Sequence, residues 1–414
     1  MLLLYRLIFL VIVIVGSPYL LFKAIWGKHG VKERLGIIPK RESRGRLFWF
    51  HAASVGELKV LSTIIPELQK LLPGVEIAIS TTTVTGRRRA TQLFGDALVF
   101  LQPLEINTAI LRVIENLRPE KLILVETEVW PLLINTAADY KIDIYLVNAR
   151  MSKKSFRIYS MFKTLIKITL GKFTRILTQS HKDAARFEAL GASNVEVMGN
   201  TKFDQVLIEN RERKPALEMP PDGRLVFVAG SIRKGEDEIL MKVICTAKDA
   251  HLPVLFILVP RHMKDLDDLL GHLKAADINY QLWTKTKRGK IEPGQAMVVD
   301  TMGELTSFYK SADLALVGGS MVPIGGHDPA EPAALGVPVL FGPHMENAAG
   351  AAKLLLDCGA AKRVRDEGEI VCALEEALRD RKVLAERGGR GKEAIASLAG
   401  VSRKIARILA GIDK

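Results

Sequence analysis

At 414 residues the chain exceeds one ordinary core and fits two domains plus a short additional segment. Its 48% hydrophobic and 25% charged residues describe a folded globular protein and exclude an intrinsically disordered one. Lys and Arg number 59 against 46 Asp and Glu, a net charge of +13, which favours an acidic partner: nucleic acid, anionic lipid or a phosphorylated substrate. The three cysteines, Cys245, Cys358 and Cys372, form no CxxC pair and no ligand spacing with His. That argues for a reducing compartment, without a disulfide framework or structural zinc.

The chain opens on an uncharged run, LIFLVIVIVGSPYLLF at residues 7–22. No small-residue cleavage site follows, so a removed signal peptide fits poorly. The run is slightly short for a full span and carries Pro18. Residues 1–26 therefore read as a single amino-terminal anchor, spanning or half-inserted. Lys23, Lys28, Lys32 and Arg34 follow it, against Arg6 and the amino terminus before it. The positive-inside bias puts the body of the protein on the cytoplasmic side.

Short apolar runs then alternate with helical patterns. RLFWFH, VEIAIST, ALVFLQP, KLILVETE, DIYLVNA and RILTQS read as strands, followed later by RLVFVAGS, PVLFILVP, AMVVDT, LALVGGS and PVLFG. Continuous apolar runs between helix-length segments predict parallel strands buried on both faces. The break falls at IENRERKPALEMPPDG, charged and proline-rich. Two doubly wound α/β domains result, at 27–206 and 223–414, with a linker at 207–222. The terminal amphipathic pattern EAIASLAGVSRKIARILAGI is assigned to the second domain. Ligands in such sheets bind beyond the carboxyl ends of the strands.

The first strand ends in HAASVGELKVL. Ser54 and Glu57 have the S-x-x-E spacing of a capping box, and spacing alone favours that role over chemistry for Glu57. The next strand leads into STTTVTGRRRA, where Thr85, Gly86 and free helix-terminal N–H groups suit an anion. Arg87, Arg88 and Arg89 are either solvated or phosphate-steering. LVETEVWP brings Glu126 and Glu128 onto one face if its strand continues. From Ile144 to Lys182 there is no acidic residue, while Arg150, Lys153, Lys154, Arg157, Lys163, Lys167, Lys172, Arg175 and Lys182 all fall there. With apolar residues interleaved in SFRIYSMFKTLIKITL, this segment reads either as an interfacial amphipathic helix or as a solvated basic face. GNTKFD then places Lys202 just before the linker.

In the second half, VFVAGSIRKGEDE offers Ser231 and Arg233 at a strand-to-helix turn. FILVPRH ends in Pro260, Arg261 and His262, and VVDTMGEL gives Met302, Gly303 and Glu304. LALVGGSMVPIGGHDPAEPAALG carries His327, Asp328 and Glu331, and PVLFGPHMENAAG supplies Asn347. Five Gly-rich strand ends on one sheet edge predict a nucleotide pocket, with backbone N–H groups and Arg on phosphate and a carboxylate on ribose. The absence of a Walker lysine motif and of an early GxGxxG disfavours P-loop and dehydrogenase readings.

Together HAASVGE, TTTxTG, ETEVWP, GNTKFD, GSxRxGE, PRH, MGEL and GGHDPAEPAALGxPVLFGPHMEN resemble the 3-deoxy-D-manno-octulosonic acid (Kdo) transferases of lipopolysaccharide synthesis, in the same order along nearly the whole chain. The resemblance implies a GT-B fold of two Rossmann-like domains, with acceptor on the amino-terminal domain and CMP-Kdo on the carboxy-terminal one. It implies Glu57 as catalytic base, against the capping reading, and transition-state support from Glu128 and Lys202. It implies CMP contacts from Pro260, Arg261 and His262, from Met302, Gly303 and Glu304, and from Asp328, Pro329, Ala330 and Glu331. Ser231, Arg233, Thr85, Gly86 and Asn347 are further candidates for phosphate or acceptor contacts. Asp328 stands where the family more often has Asn, and it either weakens phosphate binding or caps a helix. The expected partners are CMP-Kdo, a phosphorylated lipid A precursor and an anionic membrane surface at the inner face of the cell's inner membrane. No metal, cofactor or nucleic acid is called for. A soluble GT-B nucleotide-sugar epimerase shares the late Glu and the Gly-rich turns but needs no apolar amino terminus. A membrane-tethered nucleic-acid binder would explain the charge but not the buried strands, and no stacking aromatics interleave the basic run.

Overall fold

In the computed structural model, which describes residues 30–212, 214–217, 223–286 and 296–413, the apolar runs form two all-parallel sheets. The chain divides into two units, residues 1–205 with 399–414, and 206–398. The expected anchor at residues 1–26 lies outside the described residues. Among the described residues, no helix is long and apolar enough to cross a membrane.

The first unit holds β1 (Leu47–His51), β2 (Glu76–Thr81), β3 (Leu98–Leu101), β4 (Lys121–Val125), β5 (Asp143–Ala149), β6 (Arg175–Thr178) and β7 (Val195–Val197). Their spatial order is β3-β2-β1-β4-β5-β6-β7, so the winding reverses between β1 and β4. Both central strands are buried along their whole length, as continuous apolar runs covered on two faces require.

The second unit holds β8 (Leu225–Ile232), β9 (Val254–Pro260), β10 (Tyr280–Leu282), β11 (Ala296–Val298), β12 (Leu314–Val317), β13 (Val339–Phe341) and β14 (Ala361–Arg363). The order β10-β11-β9-β8-β12-β13-β14 puts its reversal between β8 and β12. The sequence reading omits β7, β10 and β14. Each is three residues long at a sheet edge, and none is buried throughout, so no apolar run marks it.

Two expected boundaries change. The terminal helix, Val401–Ala410, belongs to the first unit. Its Val401, Ile405, Ala406, Ile408 and Leu409 join Leu58, Leu61, Ile64 and Ile65 of the Val55–Leu71 helix in one buried cluster. Asp204 accepts the backbone N–H groups of Gly400 and Ser402, and the Ser402 hydroxyl meets Thr63 Oγ1 at 2.8 Å. The expected linker begins as helix, since Lys202–Glu212 is one continuous element. Leu217 is already buried in the second unit's core, where the Ser311 hydroxyl bridges its N–H and carbonyl at 3.0 Å each.

Candidate active site and donor-binding edge

The winding reversal of the first unit opens a crevice at the carboxyl ends of β1 and β4, where such sheets bind ligands. Past β1, Ser54 adopts extended backbone and caps the Val55–Leu71 helix, its hydroxyl accepting the Glu57 N–H at 3.3 Å. Glu57 returns the bond, with Oε1 2.9 Å from the Ser54 hydroxyl and Oε2 accepting the Ala53 N–H at 2.7 Å. The capping box read from the spacing is present in a variant form, in which the returning carboxylate takes the N–H of Ala53, one residue before the cap, and the Ser54 hydroxyl. Glu57 is also only 8% exposed. Burial raises its pKa from 4.5 to about 7; the Ala53 bond opposes the rise, while the Glu128 and Glu126 carboxylates add to it. One side chain thus closes a helix and titrates near neutrality.

Glu126 and Glu128 do not share a strand face. β4 ends at Val125, and Glu126 takes a left-handed conformation with φ 59°. Glu126 turns to Arg150, accepting from Nε at 2.7 Å, and burial still holds its carboxyl above the usual range. Glu128 Oε2 accepts the Trp130 indole N–H at 2.7 Å and faces His51 Nε2 at 3.5 Å. Tyr159, whose hydroxyl donates to the Thr127 carbonyl at 3.1 Å, is pushed up to about 12 by burial and by the Glu128 charge. The helix after Trp-Pro is capped by neither acid of the pair. Buried Glu105 accepts from Leu132 N and Leu133 N at 2.8 and 2.9 Å, a role the sequence reading did not assign.

Lys202 is exposed and opens its helix, its N–H held by Asn200 Oδ1 at 2.9 Å. The preceding residue, Thr201, is tied to Asn148 at the carboxyl end of β5, so Lys202 lies on the same sheet edge as Glu128. Thr85 and Gly86 lie in the first turn after β2. Of the helix-terminal N–H groups in that turn, that of Gly86 is taken by Thr83 Oγ1 at 3.0 Å. Arg87 pairs with Glu33, whereas Arg88 is exposed.

The second unit's crevice is framed by the ends of β8 and β12. The two backbones approach so closely that a Cβ on Gly318 would lie 2.3 Å from the Ser231 carbonyl. Ser231 itself is buried with φ 59°. Beside it Glu236, 2% exposed, accepts four backbone N–H groups: Arg233 at 2.9 Å, Gly319 at 2.7 Å, and Ser320 and Met321 at 3.0 Å each. Burial raises its pKa and those four bonds oppose the rise. The Gly-rich loop therefore spends these N–H groups on Glu236 and not on phosphate, contrary to the expectation from its composition. The only signal for this residue in the sequence is its place in GSxRxGE.

The cationic groups are side chains. Arg233 Nη1 donates to His262 Nε2 at 2.7 Å. The pKa of His327 is depressed to about 4 by burial, then by Arg261, Arg233 and His262 together. Four cationic or polar side chains, from just past β8, just past β9 and the loop after β12, thus converge, and the His327 Nε2 atom is buried without a hydrogen-bond partner. That charge is arranged to receive an anion. Pro260 is buried at the end of β9, and the Arg261 N–H is fixed on Ile232 O at 3.0 Å. Met302 is 61% exposed, Gly303 is left-handed at φ 86°, and Glu304 opens the Leu305–Tyr309 helix. Asp328 Oδ1 accepts the Ala330 N–H at 3.2 Å, a bond that an Asn oxygen would make equally, one residue ahead of the Pro329 cap of the Ala330–Ala334 helix. Pro329 and Ala330 are buried at the start of that short helix, and Glu331 is half-buried in its first turn. Glu331 and Asp328 both raise the pKa of buried Tyr309, after burial itself. The Asn347 side-chain amide donates to Ile324 O at 3.1 Å and pins the loop after β12.

A family model described as 3-Deoxy-D-manno-octulosonic-acid transferase (kdotransferase) matches residues 29–205. A 3-deoxy-D-manno-octulosonic acid transferase of Bordetella pertussis is 34% identical over 77% of this chain and 76% of its own length. One from Haemophilus influenzae is 30% identical over 87% of this chain and 86% of its own. In fold alone, the chain is similar to the UDP-GlcNAc 2-epimerase of Neisseria meningitidis, with a TM-score of 0.56 at 13% identity over 86% of this chain and 99% of that one. MurG of Acinetobacter baumannii gives 0.52 at 14% identity, covering 88% and 99%. The two parallel-sheet units are thus those of the GT-B glycosyltransferase fold, which epimerases share. It is the extended sequence identity that separates the two activities, and by it the chain belongs to the 3-deoxy-D-manno-octulosonic acid transferase family.

Proposed function

We propose that the protein is an inverting, metal-independent glycosyltransferase that moves Kdo from CMP-Kdo to a lipid A precursor, lipid IVA, in lipopolysaccharide core synthesis. The observation that carries this reading is Glu57, a buried carboxylate with pKa about 7 beside a second carboxylate, Glu128, at a crevice of the sheet. A base of that pKa is matched to a hydroxyl acceptor at neutral pH. As the acceptor oxygen attacks the anomeric carbon of Kdo, its proton passes to Glu57. The bond from that carbon to the CMP phosphate breaks, and its electron pair leaves with the phosphate oxygen. A single displacement inverts the anomeric centre. Glu128, negative and held by Trp130, faces the positive charge that develops on the sugar, with Lys202 on the same edge. Arg233, Arg261 and His262 receive the phosphate, and Glu331 takes the ribose hydroxyls.

The acceptor's lipid chains call for a membrane surface, and the basic segment supports one. It consists of two helices, Lys153–Met161 and Lys163–Leu170, broken at Phe162, where a single amphipathic helix was expected. Leu165, Ile166 and Leu170 face the core. Ile158, Met161, Phe162 and Ile168 stay 42%, 68%, 51% and 46% exposed, among the exposed charges of Lys153, Lys154, Arg157, Lys163 and Lys167. Large apolar side chains ringed by cations suit an anionic interface at the inner membrane's cytoplasmic face, with residues 1–26 as anchor. CMP release from CMP-Kdo, measured with and without lipid IVA, tests the reading. Release that is independent of the acceptor sinks it, as does transfer to a soluble sugar at the same rate.

A further inference from the structure

At the centre of the first unit's site lies a chain of buried polar groups to which no role has been given. Trp49 Nε1 donates to Ser80 Oγ at 2.8 Å, and Ser80 Oγ lies 2.9 Å from His51 Nδ1. Trp49, Ser80 and His51 are each 0% exposed. The remaining nitrogen, His51 Nε2, has no hydrogen-bond partner and lies 3.5 Å from Glu128 Oε2. The Trp130 ring, which donates to the same oxygen, stands edge-on to the imidazole at 6.4 Å.

Donor and acceptor chemistry orients this chain. The indole N–H can only donate, so it occupies a lone pair of Ser80 and leaves that hydroxyl its one proton to give. A bare Nε2 lone pair facing a carboxylate in a buried site would be repulsive, and the unpartnered atom would keep its desolvation cost. Both conditions are met when Ser80 donates to Nδ1 and Nε2 carries the proton. The His51 N–H is then a donor held in reserve for Glu128, too long now and able to shorten when charge develops at the site.

We infer that His51 is a positioning residue, whose Nε2–H, fixed by the Trp49–Ser80 hydrogen-bond chain, orients Glu128 and offsets its negative charge next to Glu57. The inference deepens the reading of Glu57 as base and rests on it. The groups facing Glu57 are Glu128 and Glu126, the second of which is paired with Arg150, and Tyr159 faces Glu128 from the Lys153–Met161 helix. Among the described residues, the nitrogens that approach the Glu128 carboxylate are His51 Nε2 and Trp130 Nε1.

Two substitutions separate positioning from packing. Gln at 51 carries an amide N–H out to where Nε2 lies, whereas Asn reaches only the Ser80 side. With CMP-Kdo and detergent-dispersed lipid IVA, His51→Asn is expected to lower kcat about tenfold or more, the scale of one hydrogen bond to a charged group, with CMP affinity unchanged. Its acidic limb in the pH profile moves to higher pH, because an uncompensated Glu128 charge makes Glu57 harder to ionise. His51→Gln brings the limb back. Equal losses in both variants with an unmoved limb would make His51 a core histidine and overturn the inference. Imidazole 15N NMR of the unsubstituted protein decides the point even if His51→Asn fails to fold. The Nε2–H tautomer is expected, with its resonance moved by Glu128→Gln; an Nδ1–H tautomer, or a resonance that ignores Glu128→Gln, overturns it. Glu57→Gln with normal turnover would remove the base assignment instead, and the tautomer result would stand apart from it.

Discussion

The Glu57 carboxylate accepts the Ala53 N–H at 2.7 Å, so the group that titrates near pH 7 also ties the chain entering its helix to the helix's first turn. Glu57→Gln keeps an acceptor oxygen for that N–H and removes the base. Transfer should fall by roughly a hundredfold or more while CMP binding holds. Near-normal turnover would return Glu57 to a capping role alone. In the unsubstituted enzyme the rate should fall as pH drops below about 7, as Glu57 takes up its proton.

The same shift makes a stability prediction. The folded pKa of Glu57 lies above its unfolded value of 4.5, so between about 4.5 and about 7 the folded state holds a proton that the unfolded state has released. Stability contributed by this group is therefore present at the acid end of that window and declines as pH rises through it. The decline is on the order of 3 kcal/mol if the whole shift is expressed. Urea unfolding of the wild type and of Glu57→Gln across that window should show the slope in the first and its loss in the second. Parallel curves would mean that Glu57 does not carry the shift.

Glu236 gathers the backbone of two loops at the second unit's crevice. Removing its oxygens strands four buried or half-buried N–H groups, each worth about 1–3 kcal/mol when unsatisfied. Glu236→Ala should lower the Tm of the second unit and abolish CMP binding together. Glu236→Gln should recover little, since its NH2 faces donors. CMP binding retained in a variant of lowered Tm would show that the loop forms without this carboxylate.

The donor assignment rests on side chains. Arg261→Ala and Glu331→Ala should each raise the CMP-Kdo concentration required, without altering lipid association. Loss of Glu331 should also relax discrimination against a deoxyribose donor. Donor affinity unchanged in both would remove CMP from the second unit.

For the membrane face, a chain lacking residues 1–24 should still bind anionic vesicles at low salt, release at high salt, and act on detergent-dispersed acceptor. Each basic residue near such a surface contributes about 1 kcal/mol, screened by salt. Changing Lys163, Lys167 and Lys172 together to Glu should abolish vesicle binding of the truncated chain. Binding that survives the three changes would move the membrane patch elsewhere.

Much of the site is legible in the sequence because small residues, hydroxyls and carboxylates at strand ends are local signals. The Ser54–Glu57 box lies within four residues, and Arg261 and His262 follow β9 directly. Partners that come from distant elements leave no such mark. Glu105 caps a helix 27 positions away, and Glu236 reaches Gly319 across 83 positions. The Glu126–Glu128 spacing pointed to a shared strand face, and a left-handed turn at Glu126 sends the two carboxylates to different partners.

The sequence by itself determined the kind of fold, because continuous apolar runs are stable only as parallel strands covered on both faces, and it determined the family through motifs spread along the chain. It also determined that the Val401–Ala410 helix buries one face, since its apolar residues recur at helical spacing. Only the tertiary structure decided that this face lies on the Val55–Leu71 helix, and that Glu57 is shifted to about 7. A helical period reports that a surface must be covered but not by what. A carboxylate's pKa depends on burial and on charges brought near in space, and neither is encoded at its own position.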